Sequence, residues 1–172
     1  MISSILDEML DFLSSECFKR RVKVERSYED EQLMILADSR QLRQVFLNLI
    51  LNSLDAMDGC EGGTLSVSTW QRDSYLLLAI ADTGFGIPRE HLEHIFDPFF
   101  TTKSNGTGLG LSIVRDIITE HNGTITFDSV VGVGTRCTLR FPVSSLDSSS
   151  AASEGNGLST IQSDQSDGAL AG

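Results

Sequence analysis

A glycine-rich loop is the first feature of this chain that could do chemistry. Residues 97–111 read DPFFTTKSNGTGLGL, in which Gly106, Gly108 and Gly110 alternate. Apolar residues then recur at spacings of three and four, which predicts a helix directly behind the loop. A helix N-terminus offers unpaired backbone N–H groups, and glycines let the backbone approach an anion closely. The stretch therefore predicts a phosphate-binding loop, with a plain surface loop as the alternative.

A polar stripe on a long predicted helix is the second such feature. Residues 39–57 carry apolar side chains on one broad face, whereas Asn48, Asn52 and Asp55 fall together on the opposite face. An ordinary solvated helix face is richer in Lys and Glu, which favour helix more than Asn does. The stripe therefore indicates a half-buried polar site, with a solvated face as the alternative. Amide oxygens suit Mg²⁺, which takes other ligands from water and substrate phosphates.

An acidic turn is the third feature. Residues 82–88 read DTGFGIP and follow an apolar run that is typical of a central strand. Asp82 is therefore expected at the end of that strand, where its carboxylate could accept a hydrogen bond from an exocyclic amine such as that of adenine. The alternative is a plain turn in which Asp82 caps its own backbone.

The elements that must position these residues alternate in type along the chain. Helices are predicted at residues 2–18, 39–57, 89–95 and 109–121, with Asp38 or Ser39 as the cap of the second. Strands are predicted at residues 22–28, 33–37, 64–70, 75–81, 124–129 and 135–143. Consecutive strands joined by short turns should be antiparallel. The expected fold class is α+β: a two-layer α/β sandwich with a mixed, mostly antiparallel sheet of about five strands backed by three helices.

The composition favours one globular domain of 172 residues and limits its partners. The net charge of −11 and the pI near 4.5 argue against a nucleic-acid binder and against docking on an anionic membrane. No apolar run approaches the length of a membrane span. The three cysteines form no CxxC pair, which favours a reducing cytoplasm.

The two ends of the chain differ from its middle. Residues 2–18 carry an amphipathic stripe, which either packs on this domain or continues a helix from a separate region. Residues 144–172 are rich in serine and contain no aromatic or basic residue. Such a segment cannot bury enough apolar surface to offset its ordering entropy, so we expect a disordered acidic tail. A domain at residues 20–143 is expected between an N-terminal helix at 1–19 and this tail.

Taken together and in this order, the motifs resemble the ATP-binding catalytic domain of sensor histidine kinases, which shares the Bergerat-type fold with DNA gyrase, Hsp90 and MutL. QVFLNLILNSLDAM from Gln44 resembles the N box, and DTGFGIP from Asp82 resembles the G1 box. IFDPFFTTK from Ile95 resembles the F box, and GTGLGL from Gly106 resembles the G2 box. GVGTRCTLRFP from Gly132 is similar to the closing strand of the family. The short lid is similar to that of nitrogen-regulator kinases.

The resemblance implies roles at the phosphate end of a nucleotide site. Asn52 would be the Mg²⁺ ligand, Asn48 would contact the phosphates or the metal's waters, and Asp55 would line the site. Thr102 and Lys103 would belong to the ATP lid, with Asn48 and Lys103 as the catalytic candidates. The residues that would wrap the phosphates are Gly106, Thr107, Gly108, Leu109 and Gly110.

The resemblance also implies roles at the adenine end. Asp82 would bind the adenine amino group, and Thr135 would support it. The adenine pocket would be shaped by Gly84, Gly86 and Ile87, and the lid would be steadied by Phe96, Phe99 and Phe100. Ser53 stands where the N box usually has alanine, a change that is tolerated if its hydroxyl finds a helix carbonyl.

A phosphoacceptor motif resembling H-E-[IL]-[KR]-N-P has no match in this sequence, and we expect none of His91, His94 and His121 to serve as phosphoacceptor. The resemblance thus implies an isolated or truncated catalytic domain, which transfers the γ-phosphate of Mg-ATP to a histidine on a separate dimerisation hairpin. Residues 1–19 would link that hairpin to the domain, and a response regulator would act downstream. Two other functions stay open: a stand-alone serine kinase of the anti-sigma-factor type, and a nucleotide-dependent interaction module without kinase activity.

Overall fold

The computed structural model of the chain describes residues 1–29, 35–60, 62–103 and 106–143. The helices are α1 (Ile2–Phe12), α2 (Ser14–Lys19), α3 (Ser39–Ala56), α4 (Arg89–Leu92) and α5 (Gly110–Glu120). The strands are β1 (Val22–Tyr28), β2 (Gly63–Arg72), β3 (Tyr75–Asp82), β4 (Thr124–Val130) and β5 (Gly134–Pro142). The expected tail at residues 144–172 lies outside the described residues. None of the described helices has the length and apolar character needed to cross a membrane.

The five strands form one mixed sheet in the order β1-β2-β3-β5-β4. β1 pairs with β2 in parallel, and the other three pairs are antiparallel. Parallel neighbours cannot be joined by a tight turn, so the chain crosses from β1 to β2 through α3. The predicted α+β class and the mostly antiparallel sheet are confirmed. The helix that carries the polar stripe is thus the crossover connection of the sheet.

Two local hairpins build most of this sheet. β2 and β3 join at Asp73, whose φ of 55° turns the chain tightly, and β4 and β5 join across residues 131–133. β3 then pairs with β5, which places Asp82 directly opposite Thr135. This register brings the end of the predicted central strand beside the start of the closing strand.

The strand predicted at residues 33–37 is wrong for Ile35 and its two successors, which have no regular secondary structure, while residues 33 and 34 lie outside the described residues. Short apolar runs are ambiguous on periodicity alone. Here Ile35 and Ala37 pack against the core, and the chain leads directly into the cap of α3. The backbone N–H of Asp38 donates to His121 Nε2 at 2.9 Å, which joins the start of α3 to the end of α5.

The stripe on α1 packs on this domain and completes its core. Ile2, Leu6, Leu10 and Leu13 are buried in the same cluster as the apolar faces of α3, α5 and the sheet. The stripe therefore packs on this domain, whereas the continuation of the helix from a separate region and the role of residues 1–19 as a linker stay predictions. Because leucines of α1 contribute to the core, the helix belongs to the folded unit.

Candidate functional site

α3 positions the predicted polar stripe through its cap and its buried face. Asp38 Oδ1 accepts from the N–H groups of Arg40 and Gln41 at 2.7 and 3.4 Å, which confirms Asp38 as the cap. The buried face comprises Leu42, Val45, Phe46, Leu49, Ile50, Ser53 and Leu54. With that face in the core, Asn48, Asn52 and Asp55 lie on the other side of the helix and are half-buried. The expected half-buried stripe is therefore present.

Lys103, which is expected to belong to the lid, contacts this stripe directly. Its Nζ donates to Asn52 Oδ1 at 2.8 Å and to Asp55 Oδ2 at 2.6 Å. An amide oxygen and a carboxylate oxygen thus converge on one positive charge. We call the place of the Lys103 Nζ the cation position. The two oxygen atoms that surround it, Asn52 Oδ1 and Asp55 Oδ2, are of the hard type that divalent cations such as Mg²⁺ take as ligands.

Asp55 is held from two sides. Arg20, at the end of α2, donates from Nη1 to Asp55 Oδ1 at 2.9 Å, while Lys103 binds the other carboxylate oxygen. Burial raises the pKa of Asp55, but the hydrogen bonds from Lys103 and Arg20 outweigh burial and hold the pKa below its ordinary value. Arg20 belongs to no motif, so the sequence reasoning missed it.

The glycine loop is fixed by its contact with Phe99. The Phe99 N–H donates to the Gly108 carbonyl at 2.9 Å, and Gly108 has a φ of +67°. A Cβ on Gly108 would lie 2.3 Å from the Phe99 carbonyl carbon, so only glycine fits here. A Cβ on Gly106 would likewise lie 2.4 Å from the hydroxyl oxygen of Thr101.

The loop delivers the start of α5 to the polar stripe. A Cβ on Gly110 would lie 3.5 Å from Asn48 Oδ1, so these two predicted site residues face each other. No described side chain caps the N-terminus of α5, which leaves its first backbone N–H groups for an anion. Thr102 and Thr107 are exposed, and Leu109 is half-buried. The described loop residues and the stripe thus form one surface.

Asp82 forms the centre of the second half of the site. Its side chain is buried, and its Oδ1 accepts from the N–H groups of Gly84 at 3.0 Å and Thr135 at 3.2 Å. Burial raises the pKa of Asp82, and hydrogen bonds from Gly84, Ser53 and Thr135 only partly oppose this rise. Of these three residues, Gly84 and Thr135 donate from their backbone N–H groups. The contact with Gly84 is the local cap of the turn alternative, and the contact with Thr135 goes beyond it.

The loop at residues 82–88, which resembles the G1 box, packs against the C-terminal end of α3. The Phe85 N–H donates to the Ala56 carbonyl at 2.9 Å, and a Cβ on Gly84 would lie 2.3 Å from that carbonyl oxygen. Gly86 has a φ of +73°, and a Cβ there would lie 2.3 Å from the carbonyl oxygen of Val130. Both glycines therefore allow a close approach of two backbones, while their place in an adenine pocket stays a prediction.

Ser129 connects the remaining predicted residues of this half. Its hydroxyl oxygen accepts from the Ile87 N–H at 2.7 Å and lies 2.8 Å from Thr135 Oγ1. Ile87 and Thr135, 48 positions apart in sequence, are thereby tied to one side chain. Nothing in the sequence marked Ser129 beyond its place at the end of a predicted strand.

The three aromatic residues of the F box differ in their surroundings. Phe96 packs edge-on against Phe127 at 5.7 Å, and Phe100 contacts the rings of His91 and His94. Phe99 is 73% exposed, and its backbone rather than its ring makes the contact with the loop. Phe96 and Phe100 therefore pack on β4 and on the two histidines, and their role in steadying the lid stays a prediction, whereas Phe99 contacts the glycine loop through its N–H.

The fold and this arrangement define a class of protein. A family model described as histidine kinase-, DNA gyrase B-, and HSP90-like ATPase matches residues 37–145. The chain belongs to this family, whose members are ATPases, and ATP binding follows from membership. The matched residues include every predicted site residue of both halves.

Individual relatives narrow the class to histidine kinases. The sensor histidine kinase ZraS of Escherichia coli O157:H7 is 37% identical over 142 residues, which cover 83% of this chain and 31% of ZraS. The catalytic domain of histidine kinase ThkA, in a nucleotide-free structure, is 31% identical with a TM-score of 0.74, covering 81% of this chain and 91% of that domain. ThkA in complex with the response regulator protein TrrA is 26% identical with a TM-score of 0.70, covering 83% of this chain and 40% of that chain. The chain spans about a third of the length of the curated relatives it matches.

Proposed function

We propose that this chain is the ATP-binding catalytic domain of a two-component sensor histidine kinase. It binds Mg-ATP and presents the γ-phosphate to a histidine on a separate dimerisation hairpin. The observation that carries the proposal is α3, which has the cation position on its polar face and contacts the loop after Asp82 through the Ala56 carbonyl. A single helix thus connects the proposed phosphate end of the site with its proposed adenine end.

At the adenine end, the ionised carboxylate of Asp82 accepts a hydrogen bond from the exocyclic amine of adenine. The backbone contacts from Gly84 and Thr135 orient the carboxylate, and Ser129 in turn holds Thr135. Gly86 and Ile87 form the wall beside it, because both approach the end of β4. These residues act by binding and orienting and take no part in bond making.

At the phosphate end, the oxygen donors fit Mg²⁺. Asn52 Oδ1 and Asp55 Oδ2 already hold the positive charge of Lys103, so Asn52 is the proposed ligand and Asp55 lines the position. When bound, Mg²⁺ would neutralise charge on the phosphates. The N–H groups from Gly106 to Gly110 are proposed to wrap the phosphates, with Thr102 and Lys103 in the lid.

The proposed transfer is an in-line displacement. A histidine nitrogen forms a bond to the γ-phosphorus while the bond from that phosphorus to the β–γ bridging oxygen breaks, and ADP leaves with the electron pair. Asn48 lies on the face of α3 that is turned toward Gly110, and from there it orients the phosphates. Lys103, once displaced from Asn52 and Asp55, places its charge near the terminal phosphates. Catalysis rests on positioning and charge neutralisation.

The partners and the location follow from the same proposal. The hairpin supplies the phosphoacceptor histidine, and a response regulator receives the phosphoryl group, as the solved complex of ThkA with TrrA supports. We place the domain in the cytoplasm, which its three free cysteines favour.

Calorimetry of the purified chain with ATP, with and without Mg²⁺, tests the proposal. Asn52→Ala should abolish the Mg²⁺-dependent part of the affinity, because it removes an oxygen of the cation position. Gln44→Ala, on an exposed position of the same helix, is the matched control and should bind like the wild type. Absence of ATP binding by the wild-type chain would sink the proposal, and equal binding by both variants would remove Asn52 from its role.

Transfer is tested with labelled ATP and a separately produced dimerisation hairpin. Acid-labile label on the hairpin histidine is the expected result. Label on a serine of an added protein would favour the serine kinase alternative. ATP binding without transfer to any of several hairpins would favour the interaction module.

A further inference from the structure

Arg20 joins the N-terminal helices to the phosphate end of the site. It follows α2 directly, and the next residue, Arg21, has a φ of 54° where the chain turns into β1. Its guanidinium bridges two carboxylates: Nε donates to Glu16 Oε1 at 2.9 Å and Nη1 donates to Asp55 Oδ1 at 2.9 Å. The Arg20 side chain is only 22% exposed, so this bridge is partly shielded from water.

The bridge fixes which oxygen of Asp55 faces the cation position. Arg20 takes Oδ1, and Oδ2 is left to point at the Lys103 Nζ, 2.6 Å away. A carboxylate bound through one oxygen loses rotation about its terminal torsion, so the other oxygen keeps one direction. Outer contacts of this kind orient the groups that surround a metal and sharpen its affinity.

We propose that Arg20 is a positioning residue for the Mg²⁺-nucleotide complex, acting through Asp55 and tying α2 to the cation position. The inference rests on the proposed function. Glu16, within α2, accepts a hydrogen bond from the guanidinium. The orientation of Asp55 therefore depends on the position of the C-terminal end of α2. Arg20 itself contacts neither the cation position nor the loop in any described hydrogen bond.

Two simpler roles for Arg20 predict different outcomes. A nearby positive charge by itself repels Mg²⁺, so its removal would strengthen metal binding. A contact that only stabilises the fold would change the unfolding midpoint and leave the metal dependence unchanged. Of the three roles, only positioning predicts that the variant needs a higher Mg²⁺ concentration while its affinity for nucleotide without metal is unchanged.

The test measures the ADP affinity of the whole chain by calorimetry at a series of Mg²⁺ concentrations. Arg20→Ala should raise the Mg²⁺ concentration for half-maximal enhancement of ADP affinity roughly tenfold, the lower end for loss of an outer contact at a metal site. Its ADP affinity without Mg²⁺ should match that of the wild type. Lys19→Ala is the matched control. It removes an equal charge from the residue before Arg20, and the Lys19 side chain is 73% exposed. It should titrate like the wild type.

Arg20→Lys separates charge from geometry. Lysine keeps the charge but lacks the fork that reaches Glu16 and Asp55 together, so an intermediate shift is expected. If Arg20→Ala does not fold, Arg20→Lys decides alone, and a titration identical to the wild type overturns the inference. An unchanged or lowered Mg²⁺ requirement in Arg20→Ala also overturns it. If wild-type ADP binding shows no Mg²⁺ dependence at all, the proposed function fails instead.

Discussion

Replacing Asp82 by asparagine separates nucleotide binding from folding. The substitution keeps the shape of the side chain, and the amide oxygen can still accept from the N–H groups of Gly84 and Thr135. With that oxygen in place, the amide NH₂ occupies the position of Oδ2. In the proposed complex a donor would then face the exocyclic amine of adenine, which is itself a donor.

The magnitude follows from the burial of this carboxylate. A hydrogen bond to a charged, buried group contributes roughly 1.5–3 kcal/mol, and leaving a buried donor without a partner costs about 1–3 kcal/mol. We therefore expect ATP affinity to fall by about 1–3 kcal/mol, or roughly 5- to 150-fold. The fold should lose little, because burial already disfavours the charge of Asp82 and asparagine carries none.

The assay pairs ATP and GTP calorimetry with urea unfolding of the free chain. Asp82→Asn should lose affinity for ATP and much of its preference for ATP over GTP, while its free energy of unfolding changes by less than about 1 kcal/mol. Asp128→Asn removes the same charge from an exposed position on β4 and should change neither quantity. Equal ATP and GTP binding by Asp82→Asn and the wild type would show that Asp82 serves only the turn.

The pH dependence gives a second check with a defined sign. In the proposed complex the ionised form of Asp82 binds adenine, and the pKa of this group is raised above its ordinary value in the folded chain. Affinity should therefore begin to fall on acidification at a pH above the usual aspartate range near ~3.9. Over that window the folded state takes up a proton before the unfolded state does, so Asp82 makes folding more favourable as the pH falls. The asparagine variant should lack both effects, and a pH profile parallel to the wild type would contradict the assignment.

Three further substitutions, one of them with a matched control, probe the proposed lid, the glycine loop and the core. Lys103→Ala should weaken ATP more than ADP, because its charge is assigned to the terminal phosphates; calorimetry showing an equal loss for both would contradict this. Gly108→Ala should lose nucleotide affinity and raise hydrogen exchange at Phe99, whereas Gly59→Ala, with a similar positive φ but no atom within 4 Å of the added Cβ, should suffer only the backbone strain of about 1–2 kcal/mol. Leu6→Ala should lower the free energy of unfolding by roughly 2–5 kcal/mol in urea, and a loss near zero would show that α1 is not part of the core.

Local patterns accounted for the elements that local physics determines. The apolar period of α3, its cap at Asp38 and the two hairpins were predicted because each depends on neighbouring residues. The run at residues 35–37 was misread because a few apolar residues fit a strand and a packed coil equally well.

The parts of the site that escaped prediction depend on distant residues. Arg20 and Asp55 are 35 positions apart, and their contact joins the residue that follows α2 to a residue near the end of α3. The loop after Asp82 lies against the end of α3, where the Phe85 N–H donates to the Ala56 carbonyl, and these residues are 29 positions apart. Such contacts depend on tertiary packing, which neither periodicity nor motif spacing encodes.

The register that places Asp82 opposite Thr135 also constrains the order of folding. These residues are 53 positions apart, whereas the β2–β3 and β4–β5 hairpins close locally. Because loop closure over long separations is slow, we expect the hairpins to form before β3 pairs with β5. The adenine end would then be absent from the early collapsed chain and complete only after that late pairing. A nucleotide would accordingly slow unfolding without accelerating folding, since it has nothing to bind until the two hairpins meet.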